Sequence, residues 1–563
     1  MSDQAALRVV SVSRVKGSSG LTDWGPSSAP VVVGKDVLEL LSTSMYVDAM
    51  TIYREYVQNA ADAIDEARAQ GLLGDKIPGK VEIAIDTTAR HIRIQDNGTG
   101  IAWPEFAERL SNLGSSAKRG TTARGFRGVG RLAGLGYCQE LIFRSRVDGD
   151  SHISELRWDC RALKTALRAA RHSQPIDELI QDIVAVRRIP AEHQPKRFFE
   201  VELLGVVRHR NDRLLSPVAV TEYLAQVAPV PFSPEFEFGE EIAAALRPHV
   251  RLGDLEIRIN GGDQPLFRPH RNHVEVGENQ YDKVSDLEIR ELTGVDGATG
   301  AIAWVLHHGY VGALPARTLV KGIRFRAGNM QVGDNNLLEE LFPEPRFNGW
   351  AIGEIHVLDP KVVPNGRRDH FEQSVHYDNL LNQITPSARE IARRCRQSSI
   401  GRKWIREFEL HKDSALAHAK AYARGGITRA AKRSHSDAVA KSLKAIKKVV
   451  DTRHIGEDTR AELSAQATAL EARVTKLLGT PATEKDPLEH FKPQVRVAYQ
   501  NVISLIYELA SNNAAAAALV EKILTRLSDE PGQENSSTPK KPTRAFTLAS
   551  KSQWRRVKRK ARR

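Results

Sequence analysis

Two glycine-containing motifs carry residue types that suit the recognition of a nucleotide. In the first, IQDNGTGI, a predicted strand ends at Asp96 and is followed by Gly98, Gly100 and Ile101. A strand-end carboxylate can accept a hydrogen bond from the amino group of adenine, and the glycines let the backbone approach the base. The alternative is a simple hairpin turn, because Asn-Gly is a strong turn signal.

The second motif, RGFRGVGRLAGLG, places a glycine-rich turn directly before an apolar stretch that we predict to be a helix. Free N–H groups and the positive end of the dipole make a helix N-terminus attractive to phosphate. The motif is not a Walker A loop, because no Gly-Lys-Ser/Thr is present, and its spacing does not fit a Rossmann loop. The motif contains Gly125, Gly128, Val129, Gly130 and Gly134.

A predicted helix, TIYREYVQNAADAIDEARAQG from Thr51, precedes both motifs and carries a polar face opposite an apolar stripe. Asparagine is a poor helix former, so Asn59 in the middle of this segment needs a reason. Taken alone, the segment also fits an ordinary amphipathic helix with a solvated acidic face. The polar positions are Glu55, Asn59, Asp62 and Glu66, and the apolar ones are Val57, Ala60, Ala61 and Ile64.

Taken in order, the three motifs resemble the N, G1 and G2 boxes of the GHKL superfamily of gyrases, heat-shock chaperones, histidine kinases and MutL. REYVQNAADAID, LSNLGSSAKRGT and GFRGVGRLAGL are most similar to the heat shock protein 90 chaperones, called HtpG in bacteria. Asn112 and Lys118 fall on matching positions of that family's lid segment. Arg131 departs from the pattern, because the family usually has an aromatic residue there.

This resemblance implies a magnesium-dependent ATPase, with Glu55 as the catalytic base and Asn59 as the protein ligand of Mg²⁺. It also implies that nucleotide state is coupled to lid closure and domain rearrangement, in a homodimer that acts on a protein client. The ATP-binding residues that it implies are Asn59, Asp62, Asp96, Gly98, Gly100, Ile101, Asn112, Lys118, Gly125, Gly128, Val129 and Gly130.

A weaker match lies in VVPNGRRDHFE, from Val362, which resembles the middle-domain loop of the same family. The resemblance places Arg368 on the arginine that reaches the γ-phosphate, so we expect Arg368 to be catalytic. Arg367 stands where the family has a serine. The alternative is a surface arginine pair without a catalytic role.

The pattern of predicted elements indicates an α+β protein in which a GHKL (Bergerat) α/β sandwich is the first folded domain. We predict an irregular arm at 1–35, the ATP-binding domain at 36–210 and a mixed α/β middle domain at 215–378. A helical region at 380–528 and a flexible linker with a basic tail at 529–563 follow. Strands are predicted at VEIAID, HIRIQD, ELIFRSR, ISELRWD, FFEVELL, LEIRING, AIAWVLHH, GIRFRAG and GWAIGEIHVLD.

Composition and charge limit the classes of function. The chain has no long apolar run and no apolar N-terminal segment, so we expect neither a membrane span nor a signal peptide. Its three cysteines form no CxxC pair, which argues against a disulfide framework or a zinc site and suits the cytoplasm. The net charge is +13, and the tail KSQWRRVKRKARR is strongly basic. The tail is either a solvated segment or a nucleic-acid contact, which leaves open a DNA-clamping ATPase like the MORC proteins.

Overall fold

The computed structural model describes residues 48–74, 76–112, 130–168, 175–209, 211–252, 255–424, 426–479, 487–510 and 513–529. Their contacts divide the chain into two compact units, Met1–Ser399 and Ile400–Arg563. The predicted arm at 1–35, the linker and tail from 530 onward, and the central part of the lid segment lie outside the described residues. None of the described helices is long and apolar enough to cross a bilayer.

A seven-stranded sheet forms the first layer of the first unit, in the order β5-β4-β3-β6-β2-β1-β7. All neighbours are antiparallel except β1 and β7, which run parallel. The strands are β1 (Gly79–Asp86), β2 (His91–Asp96), β3 (Glu140–Arg146), β4 (His152–Asp159), β5 (Val184–Pro190), β6 (Phe198–Leu204) and β7 (Leu255–Ile259).

Helices cover one face of this sheet, because alternate strand residues are apolar and buried. In β1, for example, Val81, Ile83 and Ile85 are buried and pack in the same core as α1. The helices of the first unit are α1 (Thr51–Ala69), α2 (Trp103–Ser111), α3 (Cys160–Arg168), α4 (Ile176–Ile183), α5 (Pro217–Val227) and α6 (Gly239–Leu246).

A second sheet of five strands has the order β10-β11-β14-β12-β13, and β8 and β9 form a separate hairpin. One face of the five-stranded sheet packs against the start of the long helix α7 (Val375–Arg424), and the other face packs against the segment around α6. The strands are β8 (His273–Gly277), β9 (Gln280–Lys283), β10 (Asp286–Thr293), β11 (Thr299–His307), β12 (Gly322–Ala327), β13 (Met330–Val332) and β14 (Ile352–Val357).

The second unit is helical throughout its described residues. Helix α7 supplies residues to both units, with the boundary at Ser399 and Ile400. The second unit has two apolar cores, one among α7, α8 and α9 and one between α10 and α11. These helices are α7 (Val375–Arg424), α8 (Arg429–Val450), α9 (Glu457–Gly479), α10 (Pro493–Leu509) and α11 (Asn513–Asp529).

The structure agrees with the α+β class and contains a strand at each of the nine predicted positions. It adds β5, β8, β9, β10 and β13, which sequence analysis missed. Five of the seven residues of β5 are exposed, so that strand has no apolar alternation to detect, and β13 has only three residues. The strand LEIRI, predicted within the second mixed region, instead pairs with β1 in the first sheet.

The prediction of an α-helix after the glycine-rich motif is wrong. The chain forms a single 3₁₀ turn at Gly130–Leu132 and continues in turns to Tyr137. The physical reason is the close packing of Gly134, whose N–H donates a hydrogen bond to the Tyr56 hydroxyl oxygen at 3.0 Å. Glycine also disfavours a helix interior by about 1 kcal/mol relative to alanine.

Two of the three cysteines meet in the core of the first unit, although they are far apart in sequence. The Cys138 and Cys160 sulfur atoms are 3.8 Å apart, and both residues are buried as free thiols. Burial and the neighbouring Cys160 raise the pKa of Cys138 well above its usual value, so Cys138 is held as a neutral thiol.

Candidate active site

Helix α1 places Glu55, Asn59 and Asp62 along one face, as its sequence predicts. That face is not solvated, because Glu55 is 6% exposed and Asp62 is 8% exposed, while Asn59 is half-buried. Of the four polar positions on this face, only Glu66, near the end of the helix, is exposed. The alternative of an ordinary amphipathic helix with a solvated acidic face therefore does not describe α1.

The turn that begins at Gly130 covers the first part of this face. A side chain at Gly130 would place its Cβ 2.1 Å from Oε2 of Glu55, so only glycine lets the turn lie against the carboxylate. The neighbouring Tyr56 fastens the same turn, because its hydroxyl donates to the Arg131 carbonyl oxygen at 3.2 Å. The glycine motif and the acidic helix are thus held together directly.

The motif that follows Asp96 lies between α1 and β3. Gly98 packs so closely on α1 that a Cβ there would lie 2.6 Å from Cβ of Ala63. Gly100 has a φ of +69° and leaves no room for a side chain beside the Arg146 carbonyl oxygen. The N–H of Ile101 donates to the Ser145 hydroxyl at 2.6 Å. These contacts set the path of the chain that follows Asp96.

Asp96 is the buried carboxylate at the end of β2. Its Oδ1 accepts a hydrogen bond from the N–H of Gly98 at 2.8 Å. Burial raises the pKa of Asp96 to about 7, although the Gly98 N–H and the charge of Arg197 act in the opposite direction. Its protonation therefore changes near neutral pH.

Arg197 is a site residue that sequence analysis missed. Its guanidinium donates to the backbone oxygens of Leu72 at 2.7 Å and Asn97 at 3.0 Å. It thereby ties the end of α1 to the residue that follows Asp96. No motif surrounds Arg197 in the sequence, so only the pairing of β6 with β2 reveals it.

Asn112 follows helix α2, and its backbone oxygen accepts a hydrogen bond from the Arg131 guanidinium. Burial, followed by the nearby charge of Arg109, lowers the pKa of Arg131 to about 10. The start of the predicted lid is thus joined to the turn after Gly130. Four other predicted ATP-binding residues, Lys118, Gly125, Gly128 and Val129, lie outside the described residues.

A tight loop presents Arg368 to the site. Pro364 and Phe371 form an isolated antiparallel bridge, and the Asn365 N–H donates to the His370 oxygen at 2.9 Å. Arg368 adopts a φ of +56°, and its backbone oxygen accepts the N–H of Gly333 at 2.9 Å. This hydrogen bond holds the tip of the loop against the second sheet.

The loop reaches the acidic face of α1 through its arginine. Nε of Arg368 lies 3.4 Å from Oε1 of Glu55, whereas the side chain of Arg367 is exposed. Arg54, which precedes Glu55, donates to the Arg367 carbonyl oxygen at 2.9 Å and was also missed by sequence analysis. Two arginines therefore flank Glu55, one from its own helix and one from the loop.

The site has one side chain suited to a magnesium ion. Asn59 is half-buried, and its side-chain amide supplies an uncharged oxygen on the same face of α1 as Glu55. The described ranges contain no group of three or more His, Cys, Asp or Glu residues that could hold a metal. Mg²⁺ takes oxygen ligands and is often held by few protein groups together with substrate phosphates, so Asn59 fits such an ion.

Comparison with known families shows that part of this chain is similar in sequence to ATPases. Residues 49–184 match the model of the histidine kinase-, DNA gyrase B- and HSP90-like ATPases. A chaperone protein HtpG from Nitrosomonas eutropha is 39% identical over 272 residues, which are 44% of this chain and 37% of that protein. An HtpG from Dechloromonas aromatica is 32% identical over 125 residues, 20% of each chain.

The chain spans 20% to 37% of the length of these two relatives. Residues 49–184 are similar to GHKL-type ATPases, and the chain is similar to HtpG over part of its length, as the motifs predict. The predicted fold class, a GHKL sandwich followed by mixed sheets and a helical region, is also confirmed.

Proposed function

We propose that this chain binds and hydrolyses Mg-ATP and is a chaperone-like protein of the heat shock protein 90 type. The observation that carries the proposal is the convergence of three groups on α1. Glu55 and Asn59 share one face of the helix, and Arg368 reaches Glu55 from a loop of the second sheet. A base, an oxygen ligand and a cation in that arrangement suit phosphoryl transfer to water.

Asp96 is the proposed anchor for the nucleotide base. In its ionised form the carboxylate accepts a hydrogen bond from the adenine amino group, and its burial strengthens that bond relative to water. The closely packed Gly98 and Gly100 leave backbone rather than side chains beside the base. Ile101, which packs at the edge of the core, supplies an apolar surface next to them. Asp62 on α1 completes the proposed base-binding group.

Asn59 and the glycine-rich segment are proposed to hold the phosphates. Mg²⁺, when bound, neutralises phosphate charge and orients the γ-phosphate for attack. The Asn59 amide oxygen is the protein ligand for that ion. Backbone N–H groups near Gly125, Gly128, Val129 and Gly130 are proposed to face the phosphates, with Lys118 and Asn112 contributing from the lid.

Glu55 is the proposed general base. It accepts a proton from the water whose oxygen attacks the γ-phosphorus, while the bond to the ADP oxygen breaks. Nitrogen atoms of Arg54 and Arg368 lie 3.8 and 3.4 Å from its Oε1, so two cationic side chains face the carboxylate. Arg368 is also placed to share its charge with the phosphoryl group. Hydrolysis then depends on correct docking of the loop, which couples the ATP state to domain geometry.

The chaperone role, the homodimer and the protein client extend the resemblance to HtpG. Support comes from the HtpG similarity over part of the chain and from the loop that contains Arg368. A cytoplasmic location accords with the free, buried thiols of the described residues. The client is proposed only as a protein with exposed apolar surface.

The test is ATP turnover by Glu55→Ala beside nucleotide binding by the same protein. We expect turnover to fall by about 10²- to 10⁴-fold, the usual contribution of a positioned base. Binding of ATP should stay within about threefold of the wild type, because Glu55 does not contact the base. Asn59→Ala should in contrast weaken magnesium-dependent binding. Normal hydrolysis by Glu55→Ala would refute the assignment of the base.

A further inference from the structure

Helix α8 in the second unit has a strongly cationic outer face. Of its seven Lys and Arg residues, six are exposed and fall within about 120° of the helix circumference, as 3.6 residues per turn dictates. Asp437 is the only acid in the helix. The six exposed cations, called here the α8 basic face, are Arg429, Arg433, Lys441, Lys444, Lys447 and Lys448.

Packing of the opposite side fixes the direction in which this face points. Val439, Ile446 and Val449 are buried in the core formed with α7 and α9. His435 and Ser442 continue the buried side. The α8 basic face is therefore presented to solvent by the core of its own unit and cannot rotate inward without disrupting that core.

The α8 basic face has one acid of its own helix, Asp437, among its six cations. No ion pair of 4.0 Å or less joins any of its six cations to an acid within the described residues. The preceding helix differs, because Lys403 pairs with Glu407 at 3.9 Å and Lys412 with Glu409 at 3.0 Å. These two cations of α7 thus have an acid in their own helix, while the exposed cations of α8 lie along one line without such a partner.

This arrangement opposes the stability of the helix. Like charges three or four residues apart repel, typically by about 0.2–0.5 kcal/mol per pair, and Lys444 has Lys441, Lys447 and Lys448 at such distances. Arg429 lies at the positive end of the helix dipole, where the first turn contains no acid, whereas Lys447 and Lys448 lie in the last turn, where the dipole favours them. The dipole accounts for Lys447 and Lys448 but not for the other four cations on the same line, whereas a bound polyanion would stabilise all six.

We propose that the α8 basic face binds the phosphate backbone of double-stranded nucleic acid. From Arg429 to Lys448 the line of cations is about 28 Å long, at 1.5 Å rise per residue. Duplex DNA carries one charge per about 1.7 Å of its axis, so a line of that length faces many phosphates. Lys and Arg contacts to phosphates position a duplex without reading its sequence.

The uncharged residues of the face favour a duplex over the other polyanions. Ala430, Ser434 and Ala440 are the exposed neighbours of the cations, and no aromatic side chain is available among them for stacking on unpaired bases. No large apolar side chain is present for insertion into a bilayer either. The basic tail beyond the described residues is a separate segment, so the two contributions are separable by deletion.

The test measures binding of a fluorescent duplex of about 25 base pairs to the full chain and to a chain lacking 549–563, across a salt series. We expect the shortened chain to bind at low salt. Lys441→Gln, Lys444→Gln and Lys448→Gln together should weaken that binding at least about tenfold and reduce the salt slope by about 2.7, since each contact contributes about 0.9. Asp437→Asn should strengthen binding, a gain that misfolding cannot imitate.

A matched control removes three exposed cations that do not form a line, Arg473→Gln, Lys522→Gln and Arg526→Gln on α9 and α11. This variant has the same net charge as the α8 triple variant and should retain binding within about threefold. Equal losses in both triple variants, or no binding by the shortened chain at low salt, would overturn the proposal. Equally tight binding of poly-glutamate or of anionic lipid vesicles would also overturn it.

Discussion

Nε of Arg368 lies 3.4 Å from Oε1 of Glu55, although Arg368 is in a loop beside the second sheet and Glu55 is on helix α1 beside the first. The contact joins the proposed base on α1 to a loop that Gly333 holds against the second sheet. It also distinguishes two adjacent arginines, because Arg367 contributes its backbone oxygen to Arg54 and exposes its side chain. The catalytic prediction for Arg368 thereby gains a geometry that can be tested.

Replacement of Arg368 by alanine should lower ATP turnover and leave nucleotide affinity largely unchanged. Arginines that act on a phosphoryl group contribute about 10³–10⁵-fold in other enzymes, and we expect a loss of at least about 10²-fold here. Steady-state hydrolysis and calorimetric binding of a non-hydrolysable analogue measure the two quantities. Arg367→Ala is the matched control and should stay within about threefold. A larger loss in Arg367→Ala would show that the loop uses the other arginine.

Nucleotide affinity should rise with pH around neutrality because of Asp96. The adenine amino group needs an ionised acceptor, and burial raises the pKa of Asp96 to about 7. Between pH 8 and pH 6 the affinity for ADP should therefore fall by about tenfold, the loss that follows when binding requires the deprotonated form. Calorimetry in buffers of matched ionic strength measures it. Asp96→Asn should bind weakly and show no such dependence, and a flat profile in the wild type would contradict the pKa assignment.

The same carboxyl has an opposite effect on the stability of the nucleotide-free protein. The folded-state pKa of Asp96 exceeds its ordinary value of 3.8, so the folded state holds the proton more tightly. Its contribution to the free energy of unfolding is full below about pH 4 and is lost as pH rises to about 7. We expect Asp96→Asn to remove this part of the pH dependence of the melting temperature. An unchanged pH profile in that variant would assign the dependence to other groups.

The proposed homodimer should use an apolar stripe on α10. Val502, Leu505 and Leu509 are 51%, 49% and 80% exposed, and Val495 continues the line one heptad earlier. Apolar residues repeating in this way form the seam of a coiled coil. Val502→Glu should weaken dimerisation at least about tenfold, because the symmetric interface contains the substitution twice. Val497→Glu is the control, since Val497 is equally exposed on another side of α10.

Light scattering over a range of protein concentrations decides between these outcomes. A wild-type chain that stays monomeric with and without a non-hydrolysable ATP analogue contradicts the homodimer. If both valine variants dimerise as tightly as the wild type, the dimer interface does not include the stripe on α10.

A fragment that ends at residue 210 should be much less stable than one that ends at 399. The first sheet is completed by β7, and Val220 and Leu224 of α5 are fully buried in its core. A break at 210 removes these residues and exposes the apolar surface that they cover, at about 25 cal/mol per Å². Thermal unfolding should show a cooperative transition for 1–399 and a weaker or absent one for 1–210. Equal melting temperatures would mean that α5 and β7 do not belong to this folding unit.

The sequence by itself determined the local elements and the motifs that they carry. The apolar stripe of α1 and the alternation in β1 are short-range patterns, so they predict a helix and a strand without knowledge of the rest of the chain. The order of the three nucleotide motifs indicated the family for the same reason, since the motifs depend on residues near one another. Strands with weak alternation, such as β5, were missed because burial on one side was absent.

Only the tertiary structure decided which distant residues meet at the site. Arg197 reaches the residue after Asp96, Arg54 holds the loop at Arg367, and Arg368 faces Glu55. None of these contacts leaves a periodic signal, because each depends on how sheets and loops pack rather than on spacing along the chain. The same packing covers the acidic face of α1, and it leaves the cations of α8 exposed along one line.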